Sequence, residues 1–222
     1  MYVVDDKNAI VLSEICVISI LSEGLGMNTT ALFVELIVIG TGAAIWLILL
    51  LVSIFGYTWV SWKETTALVA LIPVLSLVYV LGIVVDYLVF LLYGKWDKRL
   101  RRYKFPNNEE YENARIYVYT YATSNIINRL EYDRSRIRIV RAWSINFCFL
   151  AISTLIFVWV RLSLMRLNLR LGIFIFSVLA FGIGIASTLY VWRTLSLGYY
   201  SQIAQANVFL KNEGIGKSSD VK

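Results

Sequence analysis

Four apolar runs, arranged as two pairs around one long basic stretch, constrain the fold of this chain more than any motif does. The runs are residues 31–55, 67–93, 143–160 and 171–192. Each is close to the ~17–25 residues that a helix needs to cross a bilayer. Only Glu35 and Asp86 carry charge inside them. The pattern predicts an all-α integral membrane protein with four transmembrane helices in two hairpins, 31–93 and 143–192.

The composition argues against an ordinary soluble domain. Hydrophobic residues make up 59% of the chain and charged residues 16%, against about 45–50% and about 25% in soluble domains. The absence of His from the sequence removes the commonest metal ligand and the usual general base near neutral pH. Cys16 and Cys148 give no disulfide framework, and the sequence carries no nucleotide-binding or hydrolase motif. We therefore expect no metal, no cofactor and no catalytic residues.

The distribution of Lys and Arg predicts the orientation in the membrane. If both termini lie inside, the inner segments hold seventeen of these residues and the outer loops hold four, and basic residues favour the cytoplasmic side. We therefore expect both termini and residues 94–142 in the cytoplasm, in a plasma (inner) membrane. Residues 1–30 contain an apolar stretch too short to span, which favours a cytoplasmic or interfacial segment.

The stretch 94–142 is predicted to be helical and to extend from the membrane. Asn107 followed by Glu110 resembles a capping box, so a helix should begin near Asn108. Two alternatives remain for 108–141: one helix that runs on into the third span, or a hairpin with a break near 123–125. After the fourth span, the pattern of residues 193–222 predicts an amphipathic helix from about Thr194 to Leu210, followed by a disordered tail.

Two acids inside the spans are the first candidate functional residues. A charge at the bilayer centre costs about 2.5–3.5 kcal/mol, so Asp86 and Glu35 should face protein or water and have partners. Both lie near the predicted inner end of their helices, where Arg141 and Arg193 are available. One hypothesis is that the acids pair with these arginines. The other places Asp86 and Glu35 in an ion or proton pathway.

Basic residues on the predicted cytoplasmic face are the second set of candidates. A polybasic segment directly after a span attracts anionic lipid, and an arginine face binds phosphate groups well because the guanidinium is a planar donor fork. The candidates for binding phosphate, lipid or a partner are Lys98, Arg99, Arg101, Arg102, Arg134, Arg138 and Arg141. The alternative for these residues is a topological anchor or a solvated face.

Small residues spaced four apart predict close helix packing. Gly40 and Ala44 lie in the first span, and Ala180, Gly184 and Thr188 form a longer stripe in the fourth. Such spacing lets helix backbones approach each other. The stripes could serve packing within one chain or a seam between copies in a homo-oligomer.

These observations favour a non-enzymatic membrane module over an enzyme. We expect it to form oligomers and to use its basic cytoplasmic face to sense or recruit a partner, with perturbation of the bilayer as one response. The expected partners are anionic lipid headgroups and a cytosolic protein, and nucleic acid is not expected. The alternative function is a small ion channel or transporter subunit with Asp86 and Glu35 in the pathway.

Overall fold

The computed structural model describes residues 29–56, 67–163 and 165–213, and within them the chain forms five helices and no strand. The helices are α1 (Thr29–Phe55), α2 (Ala67–Arg101), α3 (Asn108–Tyr121), α4 (Ser124–Arg161) and α5 (Leu167–Asn212). The predicted N-terminal segment, most of the first outer loop and the predicted disordered tail lie outside the described residues.

Four of the helices, α1, α2, α4 and α5, are long and apolar enough to cross a membrane. Many large apolar side chains on them are exposed, such as Ile72 at 74% and Phe176 at 73%. Contiguous apolar surface of this kind is rare on soluble monomers, whereas lipid covers it without cost. The chain is therefore all-helical with four candidate spans, which confirms the predicted class and indicates a multi-pass membrane protein.

Three of these helices extend well past the apolar runs from which they were predicted. Helix α2 continues beyond Tyr93 to Arg101, and α4 begins at Ser124, far ahead of the run that starts at Trp143. Helix α5 continues without a break to Asn212. The amphipathic stretch predicted at 194–210 is thus the last part of α5 and not a separate helix, because Gly198 alone does not end a helix.

The stretch before α4 adopts the hairpin alternative. Helix α3 ends at Tyr121, and the next two residues, Ala122 and Thr123, have extended backbone with ψ of 156° and 152°. Helix α3 begins at Asn108, as the sequence predicts, but Asn107 makes no side-chain capping hydrogen bond. The predicted capping box is therefore absent, although the helix starts where that pattern indicates.

Helices α4 and α5 pack against each other most extensively, α3 lies against α5, and α2 contacts both α4 and α5. By contact density the chain divides into two compact units, Met1–Val34 and Glu35–Lys222. The described part of the first unit is only the start of α1. The second unit holds the rest of α1 and the other four helices. We call the end of this unit where α2 finishes and α4 begins the basic end.

Helices α1 and α2 cross at two glycines. A Cβ atom placed on Gly40 would collide with the backbone carbonyl of Val78, and one on Gly82 would collide with that of Leu36. Only residues without a side chain allow the two backbones to approach this closely. The crossing holds α1 against α2 and so sets Glu35 and Asp86 at similar depth.

Candidate functional site

Four charged side chains from three helices meet near the basic end of the bundle. Arg138 on α4 lies between the two acids, with Nη1 3.3 Å from Oε2 of Glu35 and Nη2 3.5 Å from Oδ2 of Asp86. Arg141, one turn further along α4, places Nη2 3.7 Å from Oδ1 of Asp86. We call Glu35, Asp86, Arg138 and Arg141 the ionic cluster. It joins α1, α2 and α4.

The geometry of the ionic cluster follows from helix periodicity. Arg138 and Arg141 are three residues apart, so both side chains lie on the same face of α4. The side chains are largely shielded from solvent, with exposed fractions of 11% for Glu35, 21% for Asp86, 26% for Arg138 and 12% for Arg141. The formal charges cancel, two against two. Each acid is thereby kept within protein and next to an opposite charge, as the cost of an isolated charge in lipid requires.

The sequence predicted the ionic cluster in part. Arg141 does pair with Asp86, but Glu35 pairs with Arg138, which the sequence placed on a phosphate-binding face. Arg193 contacts neither acid and lies on α5, next to the end of α2. The choice between Arg138 and Arg193 depends on how α4 and α5 are rotated about their axes, which a single sequence does not fix.

A second polar contact lies deeper between α1 and α4, at Asn146. This side chain is fully buried; its Nδ2 donates to the carbonyl of Ile39 at 3.0 Å, and its Oδ1 accepts from Nε1 of Trp46 at 3.3 Å. A Cβ on Gly42 would collide with the Asn146 amide. Sequence reasoning missed Asn146, although a lone amide in an apolar run is itself a signal, since a polar side chain in a span needs a partner.

Beyond the ionic cluster, the end of α2 is locked against α3 and α5 by an aromatic and charged group. The Tyr200 hydroxyl donates to Oδ1 of Asp97 at 2.7 Å, and Arg101 pairs with Oδ2 of the same carboxylate at 3.3 Å. The Arg101 guanidinium also lies 4.3 Å from the ring centroid of Tyr111, within the range of a cation–π interaction. Arg101, a candidate for phosphate binding, is therefore already engaged within the chain.

A similar group joins α3 to the first turns of α4. The Tyr119 hydroxyl donates to Oε1 of Glu131 at 2.7 Å, and Arg134 lies 4.0 Å from the same oxygen. Burial, together with the adjacent Glu131 carboxylate, raises the pKa of Tyr119 from 10.0 to about 12. Burial likewise raises the pKa of Tyr111. Both phenols are therefore protonated at neutral pH, and that of Tyr119 donates to Glu131.

The seven basic candidates thus separate into two groups. Arg101, Arg134, Arg138 and Arg141 are partly buried and paired with carboxylates of the same chain. Lys98, Arg99 and Arg102 are exposed around the end of α2, and none of the three has a carboxylate partner among the described residues. Only this second group presents free positive charge to an outside ligand.

At the opposite end, Arg161 holds the last turn of α1. Its Nε donates to the carbonyl of Val52 at 3.1 Å and its Nη2 to that of Ile54 at 2.9 Å, so it satisfies carbonyls that a helix end leaves free. Gly56, with φ of 83°, follows α1 and lies against the same guanidinium. No group of three or more possible metal-ligating side chains occurs within the part of the chain that the structure describes.

The small residues of the two predicted stripes have different surroundings. In the first span, Gly40 lies at the crossing with α2, and Ala44 is half-buried. In the fourth, a Cβ on Gly184 would lie against the ring of Phe147, and the Thr188 hydroxyl donates to the carbonyl of Gly184 at 2.9 Å. Ala180 is exposed. The stripe on α5 is therefore partly used within the chain.

Comparison with known proteins gives no relative from which a function could be transferred. No protein-family model, no curated protein sequence and no solved structure matches this chain.

Proposed function

We propose that this protein is a non-enzymatic multi-pass membrane module that assembles into oligomers. It uses the exposed cations at its basic end to sense or recruit a cytosolic partner. Binding of that partner shifts the extramembrane parts of α4 and α5, and the spans respond by perturbing the bilayer. In this proposal both termini and the basic end lie in the cytoplasm, in the plasma membrane.

The continuity of α4 carries the proposal. One uninterrupted helix bears the contact to α3 at Glu131, the ionic cluster at Arg138 and Arg141, and the buried amide at Asn146. A force on the α3–α4 hairpin would reach the spans through a rigid element. The ionic cluster then links that movement to α1 and α2, because one guanidinium serves carboxylates on both.

The recruiting surface is tested by reversing charge at Lys98 and Arg102. Both side chains are exposed and unpaired among the described residues, so K98E and R102E should leave the fold intact. We expect each variant to lose at least half of the partner captured by chemical cross-linking in the native host, with membrane insertion unchanged. The matched control is R166E, an exposed arginine at the opposite end of the bundle.

The outcomes of that experiment are distinct. If K98E and R102E capture the same cross-linked species in the same yield as the parent chain, the recruiting function is wrong. If R166E loses the species to the same extent, the effect is one of net charge and the basic end has no special role. Loss confined to the two variants at the basic end supports the proposal.

Oligomer formation is supported by the exposure of α5. In the most apolar 18-residue stretch of α5, only 6% is buried within the chain, which is the lowest share among the four candidate spans. Gly182 is exposed on this helix, with open space where a Cβ would be. If copies meet along α5, G182L should reduce the number of subunits counted by single-molecule photobleaching in nanodiscs. A single bleaching step in the parent chain would contradict oligomer formation. A subunit count that G182L leaves unchanged would contradict an interface through α5.

The arrangement of the acids favours this module over an ion pathway. Glu35 and Asp86 both lie next to guanidinium groups that cancel their charge. A cation-conducting pathway needs carboxylates that are free to bind the passing ion. We therefore assign the ionic cluster a role in holding helices together. Cation flux through liposomes that falls with D86N, while assembly is unchanged, would contradict that assignment.

A further inference from the structure

At the basic end, the structure has a cleft between the end of α2 and α5. Its volume is about 220 Å³. Two tryptophans, a tyrosine, a leucine and two arginines line it: Trp96, Arg99, Leu100, Tyr103, Trp192 and Arg193. Arg99 and Arg193 come from different helices and converge on the same space.

The two arginines in the cleft are free to bind a ligand. Within the described residues, neither Arg99 nor Arg193 forms an ion pair, and both side chains are exposed. This distinguishes them from Arg101, Arg138 and Arg141, whose charges are matched within the chain. Two guanidinium groups that face one cleft provide several N–H donors in planar forks, which is the arrangement that binds phosphate oxygens best.

The aromatic walls of the cleft are held in place by Tyr93. Its ring meets Trp192 edge to face with centroids 4.9 Å apart and meets Trp96 in the same manner at 5.5 Å. Trp192 is buried and Trp96 is exposed. Tryptophan prefers the headgroup level of a bilayer because its ring is apolar and its N–H is polar. The two tryptophans therefore favour a position of the cleft at the depth of the phospholipid headgroups.

The surface next to the cleft suits an acyl chain. Leu88, Leu92, Trp96 and Arg99 follow each other on α2 at spacings of four, four and three, so they share one face of the helix. Leu88 is 43% exposed and Leu92 is 61% exposed. An apolar strip thus leads along α2 from the middle of the membrane directly to Arg99.

We propose that this cleft binds the phosphate group of one anionic phospholipid, with Arg99 and Arg193 on the phosphate and an acyl chain along Leu88 and Leu92. The cleft shares Arg99 with the exposed cations at the basic end, but the recruiting function is tested at Lys98 and Arg102, which do not line the cleft. A phosphate group could also come from a soluble phosphorylated compound. The apolar strip favours the lipid as its source.

The test is native mass spectrometry of the full chain in detergent, titrated with dioctanoyl phosphatidylglycerol, dioctanoyl phosphatidylcholine and inorganic phosphate. We expect one phosphatidylglycerol per chain, bound about tenfold or more tightly than phosphatidylcholine, since a charged phosphate pairs with both arginines. R99Q/R193Q should lose this preference. The matched control R129Q/K211Q removes the same charge from two exposed residues outside the cleft and should keep it.

Each outcome decides the inference. Equal binding of the two lipids by the parent chain overturns it, and so does equal loss in R99Q/R193Q and R129Q/K211Q. If inorganic phosphate displaces phosphatidylglycerol at matched concentration, the phosphate site stands and its source is soluble. If R99Q/R193Q fails to give the helical circular dichroism of the parent chain, the single variants R99Q and R193Q replace it, and each should weaken binding. Partner cross-linking in K98E and R102E is a separate measurement, so failure of the recruiting function and failure of the lipid site can be told apart.

Discussion

Arg138 carries one positive charge and faces carboxylates on two other helices. Glu35 lies 3.3 Å from one of its terminal nitrogens and Asp86 lies 3.5 Å from the other. A planar guanidinium can serve both at once, whereas a lysine ammonium at the same position would act as a single point charge. The residue identity at 138 therefore determines that α1 and α2 are held by the same side chain.

Removing that side chain should destabilise the bundle. In R138Q, Glu35 loses the one ion pair that it forms among the described residues, and Asp86 keeps the longer contact to Arg141. Breaking a buried pair costs about 3–5 kcal/mol, and because these side chains are partly exposed we expect roughly 2–3 kcal/mol in unfolding measurements in detergent. R136Q, an exposed arginine on the same helix, serves as the control.

The neutral triple variant E35Q/D86N/R138Q tests whether charge imbalance explains the stability lost in R138Q. If charge imbalance causes it, the triple variant should recover more than half of the stability lost in R138Q, because no carboxylate is then left without a partner. If R138Q and R136Q unfold alike, Arg138 does not hold the helices together.

The raised pKa of Tyr119 should make the free energy of unfolding fall at alkaline pH. Its pKa is raised from 10.0 to about 12, so in this range the folded state keeps a proton that the unfolded state has lost. The contribution is fully present below pH 10 and is lost as the pH rises towards 12, at about 1.4 kcal/mol per pH unit. Y119F should therefore show a shallower decline than the parent chain in unfolding measured across this range.

Tyr121 provides the comparison for that experiment. It lies on the same helix and is 38% exposed, and Y121F should decline as steeply as the parent chain does. If the stability of Y119F declines with pH as steeply as that of the parent chain, the pKa of Tyr119 is not raised in the folded protein.

At the scale of elements, the crossing of α1 and α2 shows what sequence spacing can and cannot predict. The stripe of Gly40 and Ala44 indicated a close approach by α1, but its partner on α2 was not identified. Gly82 is a single small residue among Val, Leu and Ile, with no partner four residues away in α2. It matters only because α1 crosses there, and a crossing point depends on helix rotation, which hydropathy does not encode.

Alanine substitutions at the glycines test this crossing. In G40A and G82A the new methyl group meets backbone carbonyl atoms, which cannot move aside as a side chain can. We expect a loss of about 1–3 kcal/mol, typical of overpacking, read as a lower thermal midpoint in detergent. The control is G172A on α5, where a Cβ meets open space. A midpoint in G40A equal to that in G172A would contradict the close crossing.

The element bounds that the sequence missed have a common cause. Helices α2, α4 and α5 continue past the apolar runs because their polar segments contain few helix breakers and pack on each other through tyrosine. The Tyr200 hydroxyl on α5 donates to Oδ1 of Asp97 on α2 at 2.7 Å, a contact between residues that lie far apart in the sequence. Hydropathy measures where lipid ends, whereas helix ends depend on such contacts.

For the whole molecule, four spans were predictable because span length is set by bilayer thickness and needs no knowledge of partners. The ionic cluster was predictable in type but only partly in membership. A charge in a span needs an opposite charge nearby, but which arginine supplies it depends on packing. The partners of Asn146 also depend on packing. They are the carbonyl of Ile39 and the indole of Trp46, both on α1.

The orientation of the molecule gives the last prediction. Seventeen of the basic residues lie on the segments that we place in the cytoplasm and four on the others, and the positive-inside rule should hold. In a C16S/C148S background, we expect S163C to react with a membrane-impermeant maleimide in intact cells. N113C should react only after permeabilisation. Both positions are exposed in the structure, so a lack of labelling reports the membrane and not burial. The reverse pattern would invert the topology and place the phosphate cleft on the outer leaflet, while labelling of both positions in intact cells would show that the chain inserts in two orientations.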